Sequence, residues 1–191
     1  DVLIENKDPG AVIFTLKDKV YNNLNRQLLS TKEGLKKADR KYVMKLRSDL
    51  ILTSNKFLTY FDKYQKRCDE YRLFERKIIV PALYSRKYIL KGKENVRFDI
   101  PFHPSDFFFF GLNQDIKTYF MDTPLVEEPY YSHYFKDPDK LLEKELAFDG
   151  VIYRYPPEQY FTLSCFKRHF SDIKMENYSD TTPENIKQSE I

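Results

Sequence analysis

"KYVMKLRSDL", residues 41 to 50, is an apolar strand pattern that stops on a charged triplet, Arg47-Ser48-Asp49. Tyr42-Val43-Met44-Lys45-Leu46 is short and mostly apolar, as a strand with a buried face must be. Upstream, Leu24, Leu28, Leu35 and Ala38 are spaced by 4, 7 and 3, which puts them on one stripe of a helix, while Arg26, Lys32, Lys36 and Lys37 mostly fall elsewhere. Residues 1 to 5 read as a short strand and "NKDPGA" at 6 to 11 as a turn, with Asp8, Pro9 and Gly10 as breakers. Strand, helix, strand over residues 1 to 47 predicts a parallel α/β sheet. In open sheets of that kind ligands gather at the carboxyl ends of the strands, which is where Asp49 then lies.

Downstream, Phe57, Leu58, Phe61 and Tyr64 predict a second helix, and "KIIVPALYS" at 77 to 85 a strand cut short by Pro81. Residues 86 to 105 read as polar and irregular. "DFFFFGL" is a hydrophobic strand closed by Gly111, and "NQDIKTYF" opens a helix with Asn113 as its cap. "DPDKLLEKELA" at 137 to 147 is a further short helix, and "PPEQYFTLSCFKRHF" another that starts at its prolines and ends in a basic turn. We divide the chain into residues 1–172, one domain, and 173–191, a polar loop or C-terminal extension in which Thr182-Pro-Glu-Asn resembles a capping box.

The 191 residues are enough for one domain with a core, and 41% hydrophobic with 32% charged residues is ordinary globular composition. Thirty-two basic against 29 acidic residues is too balanced for a nucleic-acid binder, so no nucleic-acid partner is expected. No apolar run approaches the roughly 18 residues of a spanning helix. Cys68 and Cys165 lack any metal-ligand spacing and read as thiols of a reducing compartment. Asp1 in place of Met, with a strand-like opening, reads as a chain that enters a fold part-way.

Three groups of residues could carry chemistry. Asp49 could hold a divalent cation and Arg47 could contact phosphate oxygens, or the two could form a surface ion pair at a strand end. In "HPSDFFFFG", Asp106 stands at the lip of a buried strand three residues after His103; alternatively Ser105 and Asp106 make the turn that starts the strand. In "YPPEQY", Glu158 and Gln159 sit in the first turn of a helix, where a carboxylate is favoured by the dipole whatever its role. Phosphate-loop, dinucleotide and serine-hydrolase motifs are all missing.

Residues 22–50, 102–120 and 154–166, taken in order with N-R-Q, R-S-D, S-D-x-x-x-x-G and P-E-Q, resemble the WavE lipopolysaccharide synthesis family of bacterial glycosyltransferase-like proteins. The resemblance implies a GT-A-like mixed sheet flanked by helices, here lacking its N-terminal nucleotide-binding strand and helix. It implies transfer of a sugar from a nucleotide-sugar donor to a lipopolysaccharide or capsule-type glycan, or a lipid-linked acceptor, in the cytoplasm and peripherally at the inner membrane. By that likeness Asp49 stands where GT-A enzymes keep a metal-binding Asp-x-Asp whose first aspartate is here Arg47. Mn²⁺ or Mg²⁺ would be the cofactor, partly replaced by Arg47. Asn25, Arg26 and Gln27 would open onto the donor site, together with Ser105 and Gln159 as substrate contacts. Asp106 would be the base that takes the acceptor proton, with Glu158 as its rival. The alternative is a carbohydrate-binding or assembly protein that keeps the scaffold without the chemistry.

Overall fold

The alternation in Tyr42–Leu46 does form a strand, and its partner is the phenylalanine run. In the computed structural model, which describes residues 2–13, 21–64, 66, 68–91, 93–126, 154–176 and 182–189, the architecture is mixed α/β. In chain order the elements are β1 (Val12–Ile13), β2 (Tyr21–Asn22), α1 (Leu24–Lys37), β3 (Tyr42–Leu46), α2 (Phe57–Lys63) and β4 (Arg86–Lys91). They continue with β5 (Val96–His103), β6 (Phe108–Leu112), α3 (Asn113–Phe120), α4 (Pro157–His169) and α5 (Pro183–Ser189). The helix expected at 137 to 147 lies outside the described residues. None of the described helices is long and apolar enough to cross a membrane.

The parallel sheet is not what the described strands make. β3 runs antiparallel to β6, Tyr42 facing Leu112 and Leu46 facing Phe108. β4 pairs antiparallel with β5, and β1 with β2. Residues 2–11 hold no strand: the turn expected at 6–11 is present, with Asp8 accepting the Gly10 N–H at 2.9 Å and Gly10 at φ 83°, but residues 2–5 pair with no described strand. Residues 77–85 contribute only a bridge, Ile79 to Phe110, because Pro81 and a Ser85-to-Ala82 turn end the pairing. Phe110 thus pairs with Met44 on one side and Ile79 on the other, which places β6 in the middle. The stretch 86–105, expected to be irregular, is the β4–β5 hairpin.

α1 buries Leu24, Leu28 and Leu35, the predicted stripe, and stops before Ala38, whose N–H still donates to the Gly34 carbonyl at 3.0 Å. Asn25 and Thr31 are buried on the same side. The Asn25 amide donates to the Val126 carbonyl at 2.7 Å and accepts the Val126 N–H at 2.8 Å. Asn25→Ala leaves both main-chain groups unpaired in the interior and is expected to lower unfolding free energy in urea by about 1–3 kcal/mol.

Asn113 is not a cap but the first residue of α3, and its amide donates to the carbonyls of Ala38 and Arg40 at 3.0 and 2.8 Å. Two residues on, buried Asp115 accepts the Glu75 and Arg76 N–H groups, both at 2.9 Å, and so ties the loop after α2 to α3. The core collects Leu24, Leu28, Phe109, Ile116, Phe120 and Phe161. α2 packs by rings: Phe57 lies 5.1 Å from both Phe108 and Phe110, and Phe61 lies 5.2 Å from Phe110 with the Arg76 guanidinium 4.3 Å from its centre. Cys68 is exposed and Cys165 buried, both as free thiols. Within 173–191, Ile173 and Met175 join the core and residues 183–189 form α5, where Thr182 Oγ1 accepts the Asn185 N–H at 3.2 Å.

Candidate active site

β5 starts exposed and ends buried, so its last residues carry polar groups into the interior. Its register slips between Arg86 and Tyr88, opposite His103 and Asp99, and Tyr84 and Phe102 both take positive φ, 62° and 56°. Residues with side chains pay for that conformation, and such strain gathers where a structure fixes a particular side chain. Here it delivers His103, Ser105 and Asp106, all buried, to one place. The Ser105 N–H donates to Ser85 Oγ at 2.9 Å and its own hydroxyl accepts the Phe107 N–H at 3.4 Å, the turn that starts β6.

α4 brings the second carboxylate. Pro157 opens the helix, and the fully buried Gln159 donates to the Pro101 carbonyl at 2.7 Å, clamping the helix start to β5. Glu158 then has an oxygen 3.8 Å from His103 Nε2. From α1, Gln27 Nε2 donates to the Asp106 carbonyl at 3.1 Å, and from β3 the Lys45 ammonium donates to that same carbonyl. His103 Nδ1, Asp106 Oδ1 and Gln159 Oε1 are buried with no hydrogen-bond partner among the described residues. Buried polar atoms are nearly always paired, so His103 Nδ1 and Asp106 Oδ1, both beside Glu158, mark a place for something polar to bind.

The electrostatics fit that reading. Burial, and next the Asp106 carboxylate beside it, push the Glu158 carboxyl up to about 7, against the pull of its own backbone N–H, Arg86 and Arg47. Burial pulls the Lys45 ammonium down to about 8, with Asp106 acting in the opposite sense, and holds the His103 imidazolium below its usual range. A carboxyl raised from 4.5 to about 7 keeps its proton in the folded chain while the unfolded chain has released it. Stability therefore falls as pH rises through that window. Glu158→Gln is expected to flatten this decline in thermal melts and, above pH 7, to exceed wild type by up to ~3 kcal/mol.

Of the remaining predicted residues, Arg47 and Asp49 do meet, but each other: the guanidinium donates to both carboxylate oxygens at 3.0 and 2.6 Å and lies 4.6 Å from the Phe107 ring centre. This is the surface ion pair at a strand end. The Asp49 carboxylate is engaged on both oxygens, and the described residues hold no group of three or more His, Cys, Asp or Glu that suits a metal, so the cation expected at Asp49 does not fit the residues as they stand. Asn25 points into the core at Val126, and Arg26 grips Asp8 at 2.8 and 2.7 Å and Asn23 at 2.8 Å, so only Gln27 of the N-R-Q triplet reaches the cluster. Sequence reasoning passed over Lys45 and Arg86; a lysine inside an otherwise apolar strand was the available signal for the first.

A family model of WavE lipopolysaccharide synthesis matches residues 1–181. No curated protein and no solved structure gives a significant match. With nearly the whole length matched, the chain belongs to the WavE lipopolysaccharide synthesis family.

Proposed function

We propose that this chain is a glycosyltransferase that moves a sugar from a nucleotide-sugar donor to a lipopolysaccharide or capsule-type glycan acceptor, at the cytoplasmic face of the inner membrane. Membership of a lipopolysaccharide synthesis family supports the pathway. The observation that carries the chemistry is the pair formed by buried Asp106 and partly buried Glu158 beside His103, with polar atoms left unpaired among the described residues. An inverting transfer needs a carboxylate to take the acceptor hydroxyl proton as that oxygen bonds to the sugar carbon, while the bond to the departing diphosphate breaks and cationic groups receive its charge. Asp106 takes the proton, with Glu158 as the competing assignment. Arg47, whose charge reaches both carboxylates, exchanges Asp49 for the diphosphate oxygens.

The test is nucleoside diphosphate release from a panel of nucleotide sugars, with and without Mn²⁺, for wild type and Arg47→Gln. Release that the variant loses, at an unchanged melting temperature, is the expected result, because an exposed strand-end ion pair contributes little to stability. A second reading, a carbohydrate-binding or assembly protein, is favoured by the bidentate capture of Asp49 by Arg47. A folded protein that releases nothing with any donor and acceptor glycan would favour it.

A further inference from the structure

We propose that the face formed by the loop 50–52, α2 and the turn at 83–84 docks onto an anionic lipid bilayer. The proposal gives a surface for the membrane location read above, and its test reads vesicle binding alone, apart from sugar transfer. Ile51 is 89% exposed and Leu83 61%, two aliphatic side chains held out on separate loops. Both line one apolar groove of about 390 Å³, with Leu50, Leu52, Phe57 and Tyr60 between them. Isolated exposed aliphatics are ordinary, but bare ones converging from distant segments around one groove mark a surface that something covers.

Charge identifies the occupant. Lys56 lines the groove, Lys63 Nζ lies 5.2 Å from the centre of the exposed Tyr64 ring, and the Arg86 guanidinium lies 5.1 Å from that of exposed Tyr84. The carboxylates of this face are neutralised from within: Asp49 pairs with Arg47 at 2.6 Å and Asp62 with Arg76 at 2.7 Å. What faces outward is therefore aliphatic tips inside a collar of cations and tyrosines. Aliphatics enter the acyl region, tyrosines favour the headgroup level, and long cationic side chains reach up to anionic headgroups. A two-fold pairing of the same face would instead press two sets of these cations together. Phe107, the chain neighbour of Asp106, also lines the groove, so docking here sets the candidate active site beside the bilayer surface.

Flotation of the full chain with vesicles of phosphatidylcholine alone, and of phosphatidylcholine mixed with phosphatidylglycerol, tests this. Binding is expected to the anionic vesicles, weakening with salt. Ile51→Ser combined with Leu83→Ser is expected to reduce it about tenfold or more, at an unchanged melting temperature. Lys56→Glu combined with Lys63→Glu is expected to remove the preference for anionic vesicles. Absence of flotation, equal binding of the serine variant, or equal binding to neutral and anionic vesicles would overturn the proposal. So would a dimer in sedimentation velocity that the serine variant dissociates, which would make this face a contact between copies.

Discussion

Asp106→Asn is expected to lower the transfer rate by about 10²–10⁴-fold, with the fold retained. The carbonyl of Asp106 holds the backbone in place through Gln27 and Lys45, and carboxylate Oδ1 has no partner among the described residues, so the amide leaves these backbone contacts in place and removes the charge. Residual activity in this variant should keep a pH dependence centred near 7, the value to which burial and Asp106 push Glu158, shifted downward because one of those two causes is gone. Glu158→Gln separates the roles. If it costs less than Asp106→Asn and abolishes the pH dependence, Glu158 tunes the site and Asp106 takes the proton. A larger loss in Glu158→Gln than in Asp106→Asn would reverse the assignment, and wild-type rates in both would remove the cluster from the chemistry altogether.

Phe120→Ala is expected to cost about 3–5 kcal/mol, read as a shift of the denaturant midpoint without a change of slope. The ring is fully buried, with Tyr119 at 4.8 Å, Phe109 at 5.0 Å and Phe161 at 5.6 Å between centres. It joins β6, α3 and α4, so the cavity cannot collapse from one side alone. Since whole domains are stable by only about 5–15 kcal/mol, this loss brings the chain close to unfolding at ambient temperature. An effect below ~1 kcal/mol would mean that these elements repack around the gap.

What could be read from the sequence was what depends on neighbours along the chain. The stripe Leu24, Leu28, Leu35 gave α1, the prolines at 156 and 157 gave the start of α4, and the phenylalanine run gave β6. Strand direction was not legible, because it depends on which segment pairs with β3, and that segment lies some 60 residues downstream in β6. The β4–β5 hairpin was missed although Tyr88 and Leu90 alternate, Val96, Phe98 and Ile100 alternate, and Asn95 turns at φ 52° between them; the charged residues interleaved on its exposed half masked the period. Of the proposed site, Asp106 and Glu158 were marked from separate motifs, and the structure brings them together because Gln159 clamps α4 to β5. Asn25 and Arg26 turn instead to Val126 and Asp8, because a polar residue on a helix gives no sign in sequence of whether it faces a ligand or another part of the chain.

The attachment of α2 through rings has a consequence for motion. Seven residues are too few to hold a helix by its own backbone hydrogen bonds, so α2 keeps its shape only while Phe57 and Phe61 stay seated on Phe108 and Phe110. In amide hydrogen exchange, α2 and β6 should therefore lose protection as one cooperative unit. Asp106 stands two residues before Phe108 and the loop 50–52 just before α2, so the same opening event would release both at once.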